Sequence, residues 1–166
     1  MYKKIVLFAF IIIPAIAFAQ EQKIGYINYG EVILAMPEYK QMVDSLNKEG
    51  AQFEAELKKW TEDYQKKYSE FMEQQETLNE AIKLRRLQDL ETDRERLAGF
   101  QEFAQQKLET TKQALMTPIM EKFKKTLAEV GKENNFLYII DSTVAHYIAP
   151  NAPDATPLVK KKLGIQ

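Results

Sequence analysis

The feature that most constrains this chain is a stretch of 78 residues, 38–115, that contains no proline and only two glycines. The stretch is rich in Glu, Gln, Lys, Arg, Leu and Ala, which all favour helices. Mostly apolar residues recur in it at alternating spacings of four and three, which is the a and d pattern of a coiled coil. The first such seam comprises Tyr39, Val43, Leu46, Gly50, Phe53, Leu57, Trp60, Tyr64, Lys67, Phe71, Gln74 and Leu78. A second and more polar seam comprises Leu90, Arg94, Leu97, Gln101, Ala104, Leu108, Thr111 and Leu115. The pattern predicts long helices that pack along one face.

A helix boundary is predicted between the two seams. Residues Thr77 to Glu80 match the S/T-x-x-E capping box, in which the hydroxyl and the carboxylate satisfy unpaired N–H groups at a helix start. Two helices joined by so short a turn are antiparallel neighbours. Residues 38–117 are therefore predicted to form a helical hairpin with its tip near Thr77. The alternative is one continuous coiled-coil rod.

The segments that flank the long helices favour the hairpin. Three segments are strand candidates, residues 23–28, 136–140 and 144–148, and the last two are predicted to form a β-hairpin. Pro118 predicts a kink or a new helix start, and a short helix is expected from Thr156 to Leu163. A hairpin returns the chain to the first strand, whereas a rod does not. Residues 20–37 and 118–166 would then form a small body whose open sheet edges predict self-association.

The first nineteen residues are predicted to be a signal peptide. A positive start with Lys3 and Lys4 precedes an apolar run, and Ala17-Phe-Ala19 fits a cleavage site after Ala19. An exported protein is expected. Without the two lysines, 21 basic and 24 acidic residues remain, a net charge of −3.

Composition excludes several functional classes. The chain has no cysteine and a single histidine, His146, which argues against a zinc site or a His-based catalytic triad. No glycine-rich phosphate loop is present. We therefore expect no enzyme activity, no cofactor and no metal, and the acidic charge argues against nucleic-acid binding.

The sequence resembles the periplasmic chaperones of the Skp/OmpH family. The resemblance rests on residues 23–28 (KIGYIN) after the signal peptide, on residues 118–130 (PIMEKFKKTLAEV), on residues 136–141 (FLYIID), and on Asp154 to Thr156 with Val159 and Leu163. It implies an α+β fold in which long antiparallel helical hairpins project as tentacles from small β bodies. It also implies a homotrimer around a shared β-barrel, with a central cavity that holds unfolded outer-membrane proteins without ATP. The best-known member is strongly basic, whereas this mature chain is acidic.

Holding unfolded proteins requires accessible apolar side chains rather than catalytic groups. The candidates are apolar residues outside the two seams: Tyr68, Met72, Leu84, Phe100 and Phe103. The alternative is that the seam shifts register locally and buries them between the helices. Lys83, Arg85 and Arg86 form a basic cluster near the predicted tip, and transient contact with a membrane surface stays open. A structural coiled-coil spacer of the envelope is the alternative function.

Overall fold

Two long helices dominate the computed structural model, which describes residues 23–165. A short strand, β1 (Lys23–Ile27), and a short helix, α1 (Tyr29–Ala35), come first. Helix α2 (Pro37–Gln74) and helix α3 (Glu80–Glu133) follow. The chain ends with strand β2 (Phe136–Asp141) and helix α4 (Thr156–Leu163). At 1.5 Å per residue, the 38 residues of α2 extend for roughly 57 Å and the 54 residues of α3 for roughly 81 Å.

Contacts along the long helices define an antiparallel hairpin. Gly50 in α2 lies beside Leu108 in α3, and the Lys67 Nζ atom lies 2.6 Å from Asp93 Oδ2, nearer the tip. At the other end, Glu38 pairs with Lys122. The hairpin that the sequence predicted is therefore present, and the part of α2 and α3 beyond Gly50 and Leu108 is called the arm below.

The turn at the tip differs in detail from the predicted capping box. The Thr77 hydroxyl donates to the Gln74 carbonyl and so ends α2. The side chain of Asn79 caps α3 by accepting the Ile82 N–H at 3.0 Å. Asparagine is at least as good an N-cap as threonine, so the new helix begins two residues later than predicted.

The predicted restart at Pro118 is wrong, because α3 passes through this proline without interruption. Proline removes one helical hydrogen bond and costs about 3 kcal/mol inside a helix. Ile119 and Phe123, which follow it, are almost fully buried in the core. Their burial offsets the lost bond, so no change of secondary structure marks the predicted boundary between residues 117 and 118.

The sheet of the described residues contains two parallel strands, from the pair Lys23 with Phe136 to the pair Ile27 with Asp141. The other edge of β1 is covered, because the Tyr26 N–H donates to the Pro153 carbonyl and the Tyr26 carbonyl accepts the Ala155 N–H. The predicted third strand at 144–148 is wrong. Asp141 Oδ1 accepts the Thr143 N–H in a turn after β2, and within residues 23–165 the segment 144–148 does not pair with β2, although one edge of that strand is free.

The core lies where the base of the α2–α3 hairpin, on the body side of Gly50 and Leu108, meets the sheet and α4. Its most buried members are Ile27, Val32, Ile33, Met36, Met42, Ile119, Phe123, Val130 and Val159. The Thr156 hydroxyl accepts the Asn28 N–H at 3.0 Å and so links the start of α4 to the start of α1. Within residues 23–165, no helix has both the length and the apolar character that crossing a membrane requires.

Candidate functional site

The interior of the arm is thin. Between the two helices, Phe71, Leu90 and Ala104 are buried. Two helices alone cannot surround a large side chain, and the other aromatic residues of the first seam are only half-buried. The arm therefore leaves much of its apolar surface in contact with solvent.

Six aromatic rings lie along the arm in two groups of contacting rings. Phe53, Trp60, Phe100 and Phe103 form one group and Tyr64 and Tyr68 form the other, and we call the six together the aromatic ladder. The ring centroids of Trp60 and Phe100 lie 4.6 Å apart, and Phe53 contacts both Phe100 and Phe103 edge-on. On α2 the ladder members are spaced by seven, four and four residues, which places them on one helical stripe. The ladder extends for roughly 22 Å at 1.5 Å per residue.

Charged groups fix the middle of the aromatic ladder. The Trp60 indole N–H donates to Glu56 Oε1 at 2.6 Å, and the Arg96 guanidinium lies 3.9 Å from the Trp60 ring centroid. Next to them, the hydrogen bond to Asp93 raises the pKa of Lys67 above its ordinary 10.5. These contacts hold Trp60 in place while its neighbours at both ends of the ladder stay open to solvent.

The structure separates the five predicted client-binding residues into two groups. Leu84 and Phe103 are 60% and 53% exposed, and Tyr68 and Met72 are each nearly half exposed. Phe100 instead lies half-buried between Phe53 and Trp60. This position agrees with the alternative that the seam shifts register locally and covers the residue. Tyr68 and Phe103 belong to the aromatic ladder, whereas Met72 and Leu84 do not.

Three further exposed apolar residues were missed by the sequence analysis: Ile82, Leu87 and Leu115. Leu87 stands three residues before Leu90, so the second seam could have been extended to it. Ile82 is the third residue of α3, which only the correct helix start reveals. Leu115 was assigned to the second seam. The four-three spacing does not indicate how much of a seam residue the partner helix covers.

The predicted basic cluster does not make the tip positive. Lys83 pairs with Glu80 at 3.5 Å, and Arg86 lines a cleft of about 360 Å³ between the helices together with Phe71 and Asp89. Arg85 is exposed. Residues 73–86 contain three acidic and three basic side chains, so their charges cancel.

A second apolar surface lies on the body. Tyr138 is 62% exposed, and Leu137 and Ile140 are also exposed on β2. In the segment predicted as a strand, Val144 and Tyr147 are largely exposed. Within residues 23–165, β1 is the strand that pairs with β2, so one edge of β2 has no partner there.

His146, the single histidine of the chain, is exposed on the loop after β2. The described part of the chain brings no three His, Cys, Asp or Glu side chains together in a way that could hold a metal ion. The distinctive surfaces of this molecule are therefore apolar.

Comparison with protein families agrees with this architecture. The model of the OmpH family, described as outer membrane protein (OmpH-like), matches residues 23–163. The chain belongs to the OmpH-like family. Among solved structures, an OmpH-like protein from Caulobacter crescentus CB15, described as an outer membrane chaperone, has a similar fold with a TM-score of 0.75 and 13% sequence identity. The similarity covers 86% of this chain and 83% of that one. No curated protein sequence matches the chain.

Proposed function

We propose that this OmpH-like protein is a periplasmic chaperone that holds unfolded outer-membrane proteins without ATP and prevents their aggregation before they reach the outer membrane. The observation that carries the proposal is the arm, whose large apolar side chains are half-covered by one neighbouring helix. Contiguous exposed apolar surface is uncommon on a soluble protein and is typical of a binding surface. Many weak contacts of this kind suit a client without a defined shape.

The export step is part of the proposal. Residues 1–19, which the sequence predicts to be a signal peptide cleaved after Ala19, lie outside the described residues. Mass spectrometry of the protein recovered from the periplasm tests it, with Gln20 expected as the first residue. A chain that keeps its first nineteen residues, or that stays in the cytoplasm, would contradict the localisation.

A homotrimer formed through the body completes the proposal, with the three arms enclosing a cavity and the bodies sharing a β-barrel. Supporting it are the free edge of β2 and the exposed Tyr138 and Ile140. A two-stranded sheet is marginally stable on its own, and pairing between chains would extend it. We therefore place the trimerisation body at residues 20–37 and 118–166 and the arm-bearing hairpin at residues 38–117.

Light scattering of the mature protein tests this assembly. The expected mass is three times that of one chain. Tyr138→Asp is expected to reduce it, whereas Leu84→Asp, at an equally exposed position on the arm, is expected to leave it unchanged. A wild-type monomer, or equal effects of the two variants, would refute assembly through the body.

The holding activity is tested by diluting a denatured β-barrel membrane protein into buffer with and without the chaperone and recording turbidity. We expect the wild type to suppress aggregation. The double variant Leu84→Ser, Phe103→Ser should do so less well at the same mass and helix content, while Gln101→Ser, an exposed polar change on α3, serves as the matched control. Raising the sodium chloride concentration should leave holding nearly intact, because apolar burial is not screened by salt.

The alternative is a structural coiled-coil spacer of the envelope, which two long helices alone would permit. A spacer has no reason to alter the turbidity curve. Unchanged aggregation in the presence of the wild-type protein would therefore favour the spacer over the chaperone.

A further inference from the structure

The chemistry around the aromatic ladder indicates which part of an unfolded chain it binds. We propose that the ladder is a binding surface for client segments that combine arginine with aromatic residues. This inference rests on the proposed chaperone function, and it adds a preference for one chemical class of segment to it.

The local charge of the arm is the first argument. Gly50 lies beside Leu108 and Lys67 beside Asp93, so residues 53–68 of α2, which span the ladder, stand level with residues 91–106 of α3. These residues include eight acidic and six basic side chains, a net charge of −2. The predicted mature chain has a net charge of −3, so this section carries most of the negative net charge. The section of the arm that contains the aromatic rings is therefore weakly attractive to cations.

The pairing of individual charges supports the same conclusion. Both cations that line the small cleft between Trp60 and Tyr64 already have partners, since Lys67 bonds to Asp93 and Arg96 stacks on Trp60. Asp63 lines the same cleft and interacts electrostatically with Lys67, but it takes part in no ion pair within residues 23–165. An incoming guanidinium would therefore find a carboxylate without an ion-pair partner beside the rings.

Arg96 shows that the ladder accepts a guanidinium. Its central carbon lies 3.9 Å from the Trp60 centroid, which is well within the distance of a cation–π contact. The exposed rings at the two ends, Phe103 and Tyr68, offer the same contact to a cation from another chain. Aromatic side chains of that chain would pack edge-on against the remaining ring surface.

The single tryptophan of the chain, Trp60, lies within the ladder and reports on its occupation. The experiment uses the full mature protein and three 12-residue peptides without tryptophan, which combine Arg with Phe, Glu with Phe, or Arg with Ser. Binding is followed through Trp60 emission. Two exposed cation–π contacts predict that the Arg/Phe peptide binds about five- to thirty-fold more tightly than the Glu/Phe peptide.

Variants separate the ladder from the rest of the molecule. The double variant Tyr68→Ser, Phe103→Ser should remove the preference for the Arg/Phe peptide, and Asp63→Asn should reduce it. Leu34→Ser is the matched control, because this exposed apolar residue lies on α1 of the body and outside the ladder. Equal binding of the Arg/Phe and Glu/Phe peptides, tighter binding of the Arg/Ser peptide than of the Arg/Phe peptide, or an equal loss of preference in the Leu34 variant would overturn the inference.

The turbidity assay, run on the same preparation, distinguishes this inference from the function on which it rests. Suppressed aggregation without a peptide preference would overturn the ladder specificity and leave the chaperone function in place. A clear peptide preference without suppression would contradict the chaperone function alone.

Discussion

Replacing Gly50 by alanine should stabilise the arm. Gly50 occupies a seam position in the middle of α2, where glycine is about 1 kcal/mol less favourable than alanine. A Cβ atom built there lies 3.9 Å from Leu108 Cδ1, which is ordinary van der Waals contact. Burying about half of one methyl group adds about 0.4 kcal/mol. Gly50→Ala should therefore raise the free energy of unfolding by about 1.4 kcal/mol.

The matched control is Gly99→Ala in α3. A Cβ atom at Gly99 meets nothing within 4 Å, so this variant should gain only the helix propensity, about 1 kcal/mol. Urea unfolding followed by circular dichroism at 222 nm, at one protein concentration, measures both variants. Loss of stability in Gly50→Ala together with a gain in Gly99→Ala would refute the helix spacing at this seam.

Three further predictions concern the body, the tip and the base of the arm. Gly25→Ala should unfold or loosen the body, because its Cβ atom would lie 2.3 Å from a Phe136 ring carbon; thermal unfolding should show a clearly lower midpoint. Asn79→Ala should lower stability by about 1 kcal/mol in urea unfolding through loss of the α3 cap, whereas Thr77→Ala should cost less. A hydrogen bond from its lysine partner lowers the pKa of Glu38 below 4.5, so this contribution to stability is present above pH 4.5 and lost as the pH falls through the lowered pKa. The difference in melting temperature between wild type and Glu38→Gln should therefore shrink below pH 4.5.

The sequence predicted the parts of the fold that local patterns determine. Periodicity and composition indicated both long helices, and α2 ends at Gln74, three residues before the predicted tip at Thr77. Strand β1 and helix α4 were also predicted close to their observed bounds. Each of these depends on neighbours in the sequence.

The features that were not predicted depend on distant partners. Whether Pro118 ends a helix is decided by the burial of Ile119 and Phe123 against the core. Residues 144–148 have strand composition, yet after the turn at Asp141 and Thr143 they do not pair with the open edge of β2, where a β-hairpin would place them. Composition reveals a preference for a strand but not whether the chain turns back onto the neighbouring strand.

The aromatic ladder was also not predicted, because it too depends on residues that are distant in the sequence. Phe53, Trp60 and Tyr64 were assigned to a seam, while Tyr68, Phe100 and Phe103 were placed outside it. The two groups combine only because α3 returns along α2 with a register that sets Phe100 between Phe53 and Trp60. A pattern within one helix contains no information on that register.

The net charge of the whole chain is a poor guide to the charge that surrounds a bound client segment. Charges are screened over about 8 Å at physiological salt, which is much shorter than the arm. A client segment therefore responds to the local charge, which is −2 beside the aromatic ladder and zero at residues 73–86. Beside the ladder, an acidic segment would be held by apolar contacts despite a weak charge repulsion. An arginine-rich aromatic segment would be held there by apolar contacts and by charge attraction. The acidic composition that argues against a uniformly positive cavity is thus the same property that would give the ladder its preference.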